Sequence, residues 1–550
     1  MFDIPDFSLI DEPWIEVMLT DGSVDELSLM ELFRRAGSIR DILGESPTQV
    51  IPILRILLAI VHRAIDGPKD DDEWERCFEA DRLPIPAIED YLHRHRERFQ
   101  LFHDTAPFFQ VADLRTAKEQ VFPLDRLIAD VPTGGLLFTS RSGTELAALT
   151  FAEAARWLVQ TQGFDVSGIK SGAVGDPRVK GGKGYPIGTG YAGSLGNLYV
   201  EGNDLAETLR LNLIVVDDSG QPVWERAPQG AAPEGSPEGR MPTGITDLYT
   251  WQSRRIRLFA DGDKVTGVLV ANGDKINLPD MFNREPLTAW RRSVPQEKKL
   301  KRKPVYFPMT FDPRRAVWRS AEALMPRSKV NVKGGDADSF VSPLILRQLK
   351  RHQRRFLDGN PSLRIRTIGM RYGTQSAVPD EVLDDRLSVS LDVIFDESDR
   401  LAGVVVTAVD CAIQACKWTG MFAADLARAA GAHKDAQIAR RDAGREEAYE
   451  AIDREFRGWL ESLNAERDRD EQQTEWQRAV QRKLRWLTDA WIAAAPLTAL
   501  AGREITAEST DGKALRVNIA TAQRTHRFRL KSALPLAYDH DTEGAWSHVH

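Results

Sequence analysis

Cysteine is scarce in this chain. Three occur in 550 residues, and Cys411 and Cys416 stand five apart within a helical pattern, a poor spacing for a disulfide or a metal clamp. The thiols read as reduced, and no metal is expected. Long apolar runs are missing as well: the longest, Val50 to Val61, is interrupted by Pro52 and Arg55 and reads as a buried helix, not a membrane span. The opening Met1-Phe2-Asp3-Ile4-Pro5-Asp6 lacks a basic start and a small-residue cleavage site, so export is not expected and a cytoplasmic location is. There is no excess of positive charge. A net charge of −8 argues against a protein that coats nucleic acid with its whole surface and confines any phosphate contact to a local patch.

Catalytic motifs are also wanting. No GxxxxGK[ST], CxxC, HExxH or serine nucleophile elbow occurs. His103-Asp104 stands without the further ligands a metal phosphohydrolase needs. Gly188-Thr189-Gly190-Tyr191-Ala192-Gly193 fits GxGxxG, but a proline-containing loop precedes it and a strand-like segment follows, whereas a dinucleotide site needs a strand before and a helix after. No catalytic residue and no cofactor is expected.

What is present is a packed protein: 42% of residues are hydrophobic and 28% charged, and the length exceeds what one core usually organises. Amphipathic segments at Met30 to Ala36 and Ile53 to Ile65 predict helices. Pro107 to Val111, Asn197 to Val200, Leu209 to Val216 and Lys264 to Asn277 predict strands, with a surface loop at Pro228 to Gly244. Beyond about Leu387 the apolar residues recur at helical spacing: Val405, Val409 and Ile413; Ile452, Phe456, Trp459 and Leu463; Trp476, Val480, Leu484, Leu487 and Trp491; Leu515, Ile519 and Ala522. The expected fold is α+β, with a large mixed domain over 1–385, an antiparallel four-helix bundle over 386–535 and a polar tail over 536–550.

From Gly163 to Gly196 there are eleven glycines in 34 residues, with Lys170, Arg178, Lys180 and Lys183 among them, a density no regular helix or strand tolerates. Lys298, Lys299, Lys301, Arg302 and Lys303 form a basic block after Arg291 and Arg292. Lys350, Arg351, Arg354 and Arg355 form another. One such cluster alone is usually a solvated face. Two beside a basic glycine-rich segment in an acidic chain point to phosphate contact.

These residues carry a family likeness. Leu9-Ile10-Asp11-Glu12-Pro13-Trp14-Ile15, Gly163-Phe164, Ile169-Lys170-Ser171-Gly172, Tyr372-Gly373-Thr374-Gln375-Ser376 and the helical C-terminal region follow one another as in the CasA-type large subunits of type I-E Cascade, which the chain resembles over its whole length. The resemblance implies a non-catalytic subunit that docks on crRNA-containing Cascade subunits, reads a short protospacer-adjacent motif in double-stranded DNA, promotes strand separation and helps recruit a helicase-nuclease, with no membrane involved. It implies motif-contacting residues at Val166, Ser167 and Gly168 in a glycine loop and at either Asn272 or Lys275 on a hairpin. It further implies a wedge at Gln375 beside Thr374, backbone contacts from Lys298, Lys299, Lys301, Arg302 and Lys303, and a complex- or guide-contacting loop at Phe138, Thr139 and Ser140. Asp165 departs from what a phosphate-facing loop carries. Two other readings remain at this point: an assembly subunit without motif reading, and an enzyme that uses the glycine-rich loop to hold a phosphorylated substrate.

Overall fold

A computed structural model describes residues 5–80, 82–131, 147–236, 238–327, 329–333, 337–352, 361–506 and 514–538. The chain divides into two compact units. Unit 1 comprises Met1–Arg315, Lys329–Asp358 and Leu363–Arg386; unit 2 comprises Ala316–Ser328, Gly359–Ser362 and Leu387–His550. Helices and strands are mixed in an α+β fold.

Unit 1 is organised around one apolar helix, Val50–Ile65 (α1), in which every residue from Val50 to His62 is buried. It packs against the helices Ile85–Arg94, Phe151–Phe164 (α2) and Ile245–Tyr249. By length and composition the helical stretch Pro47–Ile65 that contains α1 could span a bilayer, as could Arg400–Ala430 in unit 2. Arg55 shows what α1 does instead. Its guanidinium, fully buried, donates to both carboxylate oxygens of Glu285 at 2.8 and 2.9 Å and lies 5.4 and 5.3 Å from the ring centres of Tyr191 and Tyr249. The one charge in the apolar run is thereby matched inside the core.

The strands that matter for the site are Asn197–Glu201 (β1), Arg254–Asp261 (β2), Lys264–Asn272 (β3), Ser362–Tyr372 (β4) and Pro379–Ser390 (β5). β2 and β3 form an antiparallel hairpin in which Arg254 faces Asn272 at the open end. β4 lies between β5 and β1, antiparallel to β1.

Two expected strands are absent. Leu205–Leu211 is a helix, because the Asp204 side chain accepts from the Glu207 amide at 2.8 Å and nucleates a turn there. Asn212 then bonds both the amide and the carbonyl of Val200, at 3.0 and 2.7 Å, in the place a strand partner would occupy. Pro107 to Val111 is a turn with Phe109 at φ +54°, and its aromatic rings pack against Phe99 and Trp224. Its β-prone residues serve packing, not a ladder.

In unit 2 the helix Arg400–Ala430 (α3) packs against Lys434–Ser462 (α4), Arg469–Ala493 (α5) and Ile519–Ala533 (α6). Val405, Val409, Ile452, Phe456, Trp459, Trp476, Val480, Leu484 and Ala522 are buried, as helical spacing predicts. Leu515 departs from its expected helical place: Ala514–Val517 pairs antiparallel with Arg503–Thr506, and α6 starts only after Asn518, whose capping box with Thr521 fixes the helix start. Cys77, Cys411 and Cys416 are unbridged.

Candidate nucleic-acid interface

The glycine loop grows out of the end of α2. That helix begins at a capping box, with Thr150 and Glu153 bonding each other's amides at 2.7 and 3.1 Å, and stops at Phe164. There the Phe164 carbonyl accepts from the Tyr372 hydroxyl at 2.7 Å and Asp165 turns inward. The Asp165 carboxylate pairs with Lys170 at 2.6 Å and with Arg254. Burial alone would push this carboxyl up, but Lys170 and Arg254 outweigh it and hold it below the usual carboxylate range. The charge that looked out of place for a phosphate-facing loop is thus an internal anchor.

Arg254 is the residue that sequence reasoning missed. Only 1% of its side chain is exposed, and besides Asp165 it donates to the carbonyls of Val166 at 3.0 Å and Gly188 at 2.8 Å. It therefore fixes the backbone on both sides of the loop. The available signal was a charged pair, Arg254-Arg255, opening a strand whose other residues are mostly apolar. Val166, Ser167 and Gly168 are half-buried.

Gln375 sits at the tip of the hairpin joining β4 and β5. Gln375 and Ser376 are both left-handed, at φ +58° and +54°, a conformation that costs a side-chain-bearing residue on the order of 1 kcal/mol. Thr374 and Gln375 are exposed. The turn is closed by main-chain bonds, Gly373 N–H to Val378 O at 2.9 Å and Ser376 N–H to Gly373 O at 2.9 Å. The structure brings this tip to the glycine loop, where the Ser167 amide donates to the Ser376 carbonyl at 2.8 Å. A cavity of 240 Å³, lined by Thr161, Phe164, Val166, Lys170 and Val378, opens beside them.

Close approach explains Gly190 and Gly193. A Cβ on Gly190 would lie 2.5 Å from the Gly163 carbonyl carbon, and one on Gly193 would lie 2.1 Å from the Tyr372 hydroxyl. The GxGxxG-like run is shaped by α2 and Tyr372, and it precedes β1 and not a phosphate-binding helix. His103 likewise serves a turn, its Nδ1 accepting from the amides of Thr105 and Ala106 at 3.2 and 3.1 Å. Among the described residues no cluster of three or more His, Cys, Asp or Glu is placed to hold a metal.

The two hairpin alternatives separate clearly. Asn272 is buried, with its side-chain amide donating to the Tyr185 carbonyl at 2.7 Å, so it braces the glycine-rich segment. Lys275 is exposed. The basic block falls on the short helix Val294–Leu300 and the residues after it; Lys298, Lys299, Lys301, Arg302 and Lys303 are all exposed. Arg302 pairs with Asp280, while the four lysines make no ion pair among the described residues. Lys350 and Arg351 end the helix Leu344–Arg351. Phe138, Thr139, Ser140, Arg354 and Arg355 lie outside the described residues.

A family model described as CRISPR-associated protein Cse1 matches residues 8–487. The chain belongs to the Cse1 family, the CasA-type large subunits of type I-E Cascade. The Cse1 structure from Thermobifida fusca is 44% identical, with a TM-score of 0.87 over 97% of this chain and 99% of that one. Cse1 from Acidimicrobium ferrooxidans is 30% identical, with a TM-score of 0.79 over 96% and 99%. A CasA/Cse1 protein of Thermus thermophilus is 32% identical over 334 residues, 60% of this chain and 62% of that relative, less than two thirds of the relative's length. Within this Cse1-family chain, the segments singled out at Ser167 and Gln375 are neighbours in space although about two hundred residues separate them in sequence.

Proposed function

We propose that this chain is the non-catalytic, cytoplasmic Cascade subunit that reads a protospacer-adjacent motif in duplex DNA, begins strand separation and helps recruit a helicase-nuclease. The observation that carries the reading is the bond from the Ser167 amide to the Ser376 carbonyl, which sets a glycine loop beside an exposed glutamine held at a strained turn. A loop whose main chain approaches a groove, with Lys275 near the end of the adjoining hairpin, suits a short duplex readout. Gln375 suits the space vacated by a separated base pair. Unstacking that step costs on the order of a few kcal/mol, which the inserted side chain helps offset. In the same reading α3, α4, α5 and α6 form an antiparallel bundle that meets neighbouring Cascade subunits, and the segment with Phe138, Thr139 and Ser140 meets the complex or guide end.

The test is duplex binding and opening by the reconstituted complex. Gln375→Ala is expected to leave initial binding largely intact and to slow opening about tenfold, a share of the unstacking cost, read by a fluorescent base next to the motif. Changing Lys298, Lys299 and Lys301 together to Ala is expected to weaken all duplexes alike and flatten the log–log salt slope by about 0.9 for each phosphate left unneutralised. If neither substitution alters binding or opening, the chain acts as scaffold only.

A further inference from the structure

The glycine-rich segment carries four cations, and the structure sorts them into two kinds. Lys170 is spent on Asp165. Arg178 is clamped on Asp176 at 3.0 Å and donates to the carbonyls of Asn272 and Gly273 at 3.1 and 3.0 Å, which fastens the segment to the end of β3. Lys180 and Lys183 are different: both are exposed, and neither makes an ion pair among the described residues.

Their backbone is a tight hairpin. Lys180 N–H donates to Lys183 O at 3.0 Å and Lys183 N–H to Lys180 O at 3.2 Å, with Gly181 and Gly182 between them at φ +58° and +73°. Both central residues at positive φ define the narrow two-residue turn that only glycine-like residues make without strain. Both glycines are exposed, and a Cβ on either would meet nothing within 4 Å, so that side of the turn is open. Gly172 N–H also donates to Gly182 O at 3.1 Å. At the base Lys170 and Ser171 pair with Gly184 and Lys183, and Gly184 abuts the Asn272 amide, with Tyr185, 54% exposed, following it.

We propose that Lys180-Gly181-Gly182-Lys183 is a DNA-backbone finger, with one lysine on each side of a glycine tip that takes phosphates of the double-stranded DNA flanking the motif. The inference rests on the motif-reading function proposed above. Its contiguity with that interface supports DNA as the occupant: the Lys170 rung joins the finger to Asp165, two residues before Ser167, whose amide meets the glutamine hairpin. Two uncompensated cations on a slim two-stranded ribbon match a phosphate backbone in charge and a duplex groove in width.

Because the hairpin bonds are main-chain and the lysine side chains make no ion pair, Lys180→Ala with Lys183→Ala leaves the turn intact. In the reconstituted complex this double variant is expected to flatten the log–log salt slope by about 2, at about 0.9 per phosphate, on motif-bearing and motif-free duplexes alike. Lys180→Arg with Lys183→Arg is expected to restore it. An unchanged slope in a complex that still discriminates motifs overturns the finger alone. An unchanged slope with impaired assembly of the complex overturns it in favour of an acidic protein partner. A wild-type complex that binds both duplexes equally, yet loses the slope in the double variant, refutes motif reading and keeps the finger.

Discussion

Glu285→Ala is expected to destabilise unit 1 by about 3–5 kcal/mol, because it leaves Arg55 charged and fully enclosed without its carboxylate. The guanidinium cannot escape by losing its proton, because arginine keeps its charge in proteins; in the wild type burial pulls its pKa down, and Glu285 outweighs burial and holds it above the ordinary arginine value, support that the variant lacks. The remaining acceptor, the Asn197 side-chain oxygen Oδ1 at 3.4 Å, is weak, and the rings of Tyr191 and Tyr249 offer only cation–π attraction. Equilibrium denaturation of the full chain measures the loss. Replacing both partners, Arg55→Met with Glu285→Leu, is expected to recover most of it, since an apolar pair of similar volume carries no desolvation cost. A loss below about 1 kcal/mol for Glu285→Ala would show that the pair is not what holds α1 in place.

Arg254→Ala is expected to act on the candidate interface as strongly. It strips Asp165 of one of two cations and frees the carbonyls of Val166 and Gly188, at a cost of about 3–5 kcal/mol for breaking a buried pair. Hydrogen exchange at the Ser167 amide should accelerate, and motif discrimination should fall further than overall duplex affinity. The pH dependence has a definite sign. Asp165 has a depressed folded-state pKa, so its contribution to stability is fully present above the ordinary value of 3.8 and is lost as pH falls through the lower folded value. Without Arg254 that depression shrinks, so the loss still sets in near 3.8 but is smaller and is complete at a higher pH than in wild type. Denaturation followed between pH 2 and pH 5 separates the two.

The long helices beyond Leu387 were legible because one face of each is apolar at regular spacing, and Trp476, Val480 and Leu484 mark that face with no tertiary information. The Leu209 to Val216 strand was not, since its apolar residues suit either period and the deciding group was the cap at Asp204. At the site, glycine density announced an irregular segment, and the likeness to CasA-type proteins pointed to Gln375. Neither could disclose Arg254, Tyr372 or the bond from Ser167 to Ser376. Each is a pairing between residues roughly 90 to 210 positions apart, and such pairings leave no periodic trace. The split at Asn272 and Lys275 was equally hidden, because burial at the end of a hairpin depends on what folds over it.

The turn that carries Gln375 is closed by its own main chain, and nothing in its bonding refers to the identity of the side chain it displays. Such a mount is interchangeable. Asparagine, which accepts the left-handed region more readily, would be shown at the same place one methylene shorter, and glycine would leave the mount intact and empty. The length of the displayed group can therefore vary in descent without rebuilding the hairpin, while Ser167 on the neighbouring loop stays in register. In the function proposed above, reach and readout are therefore separable traits, open to selection one at a time.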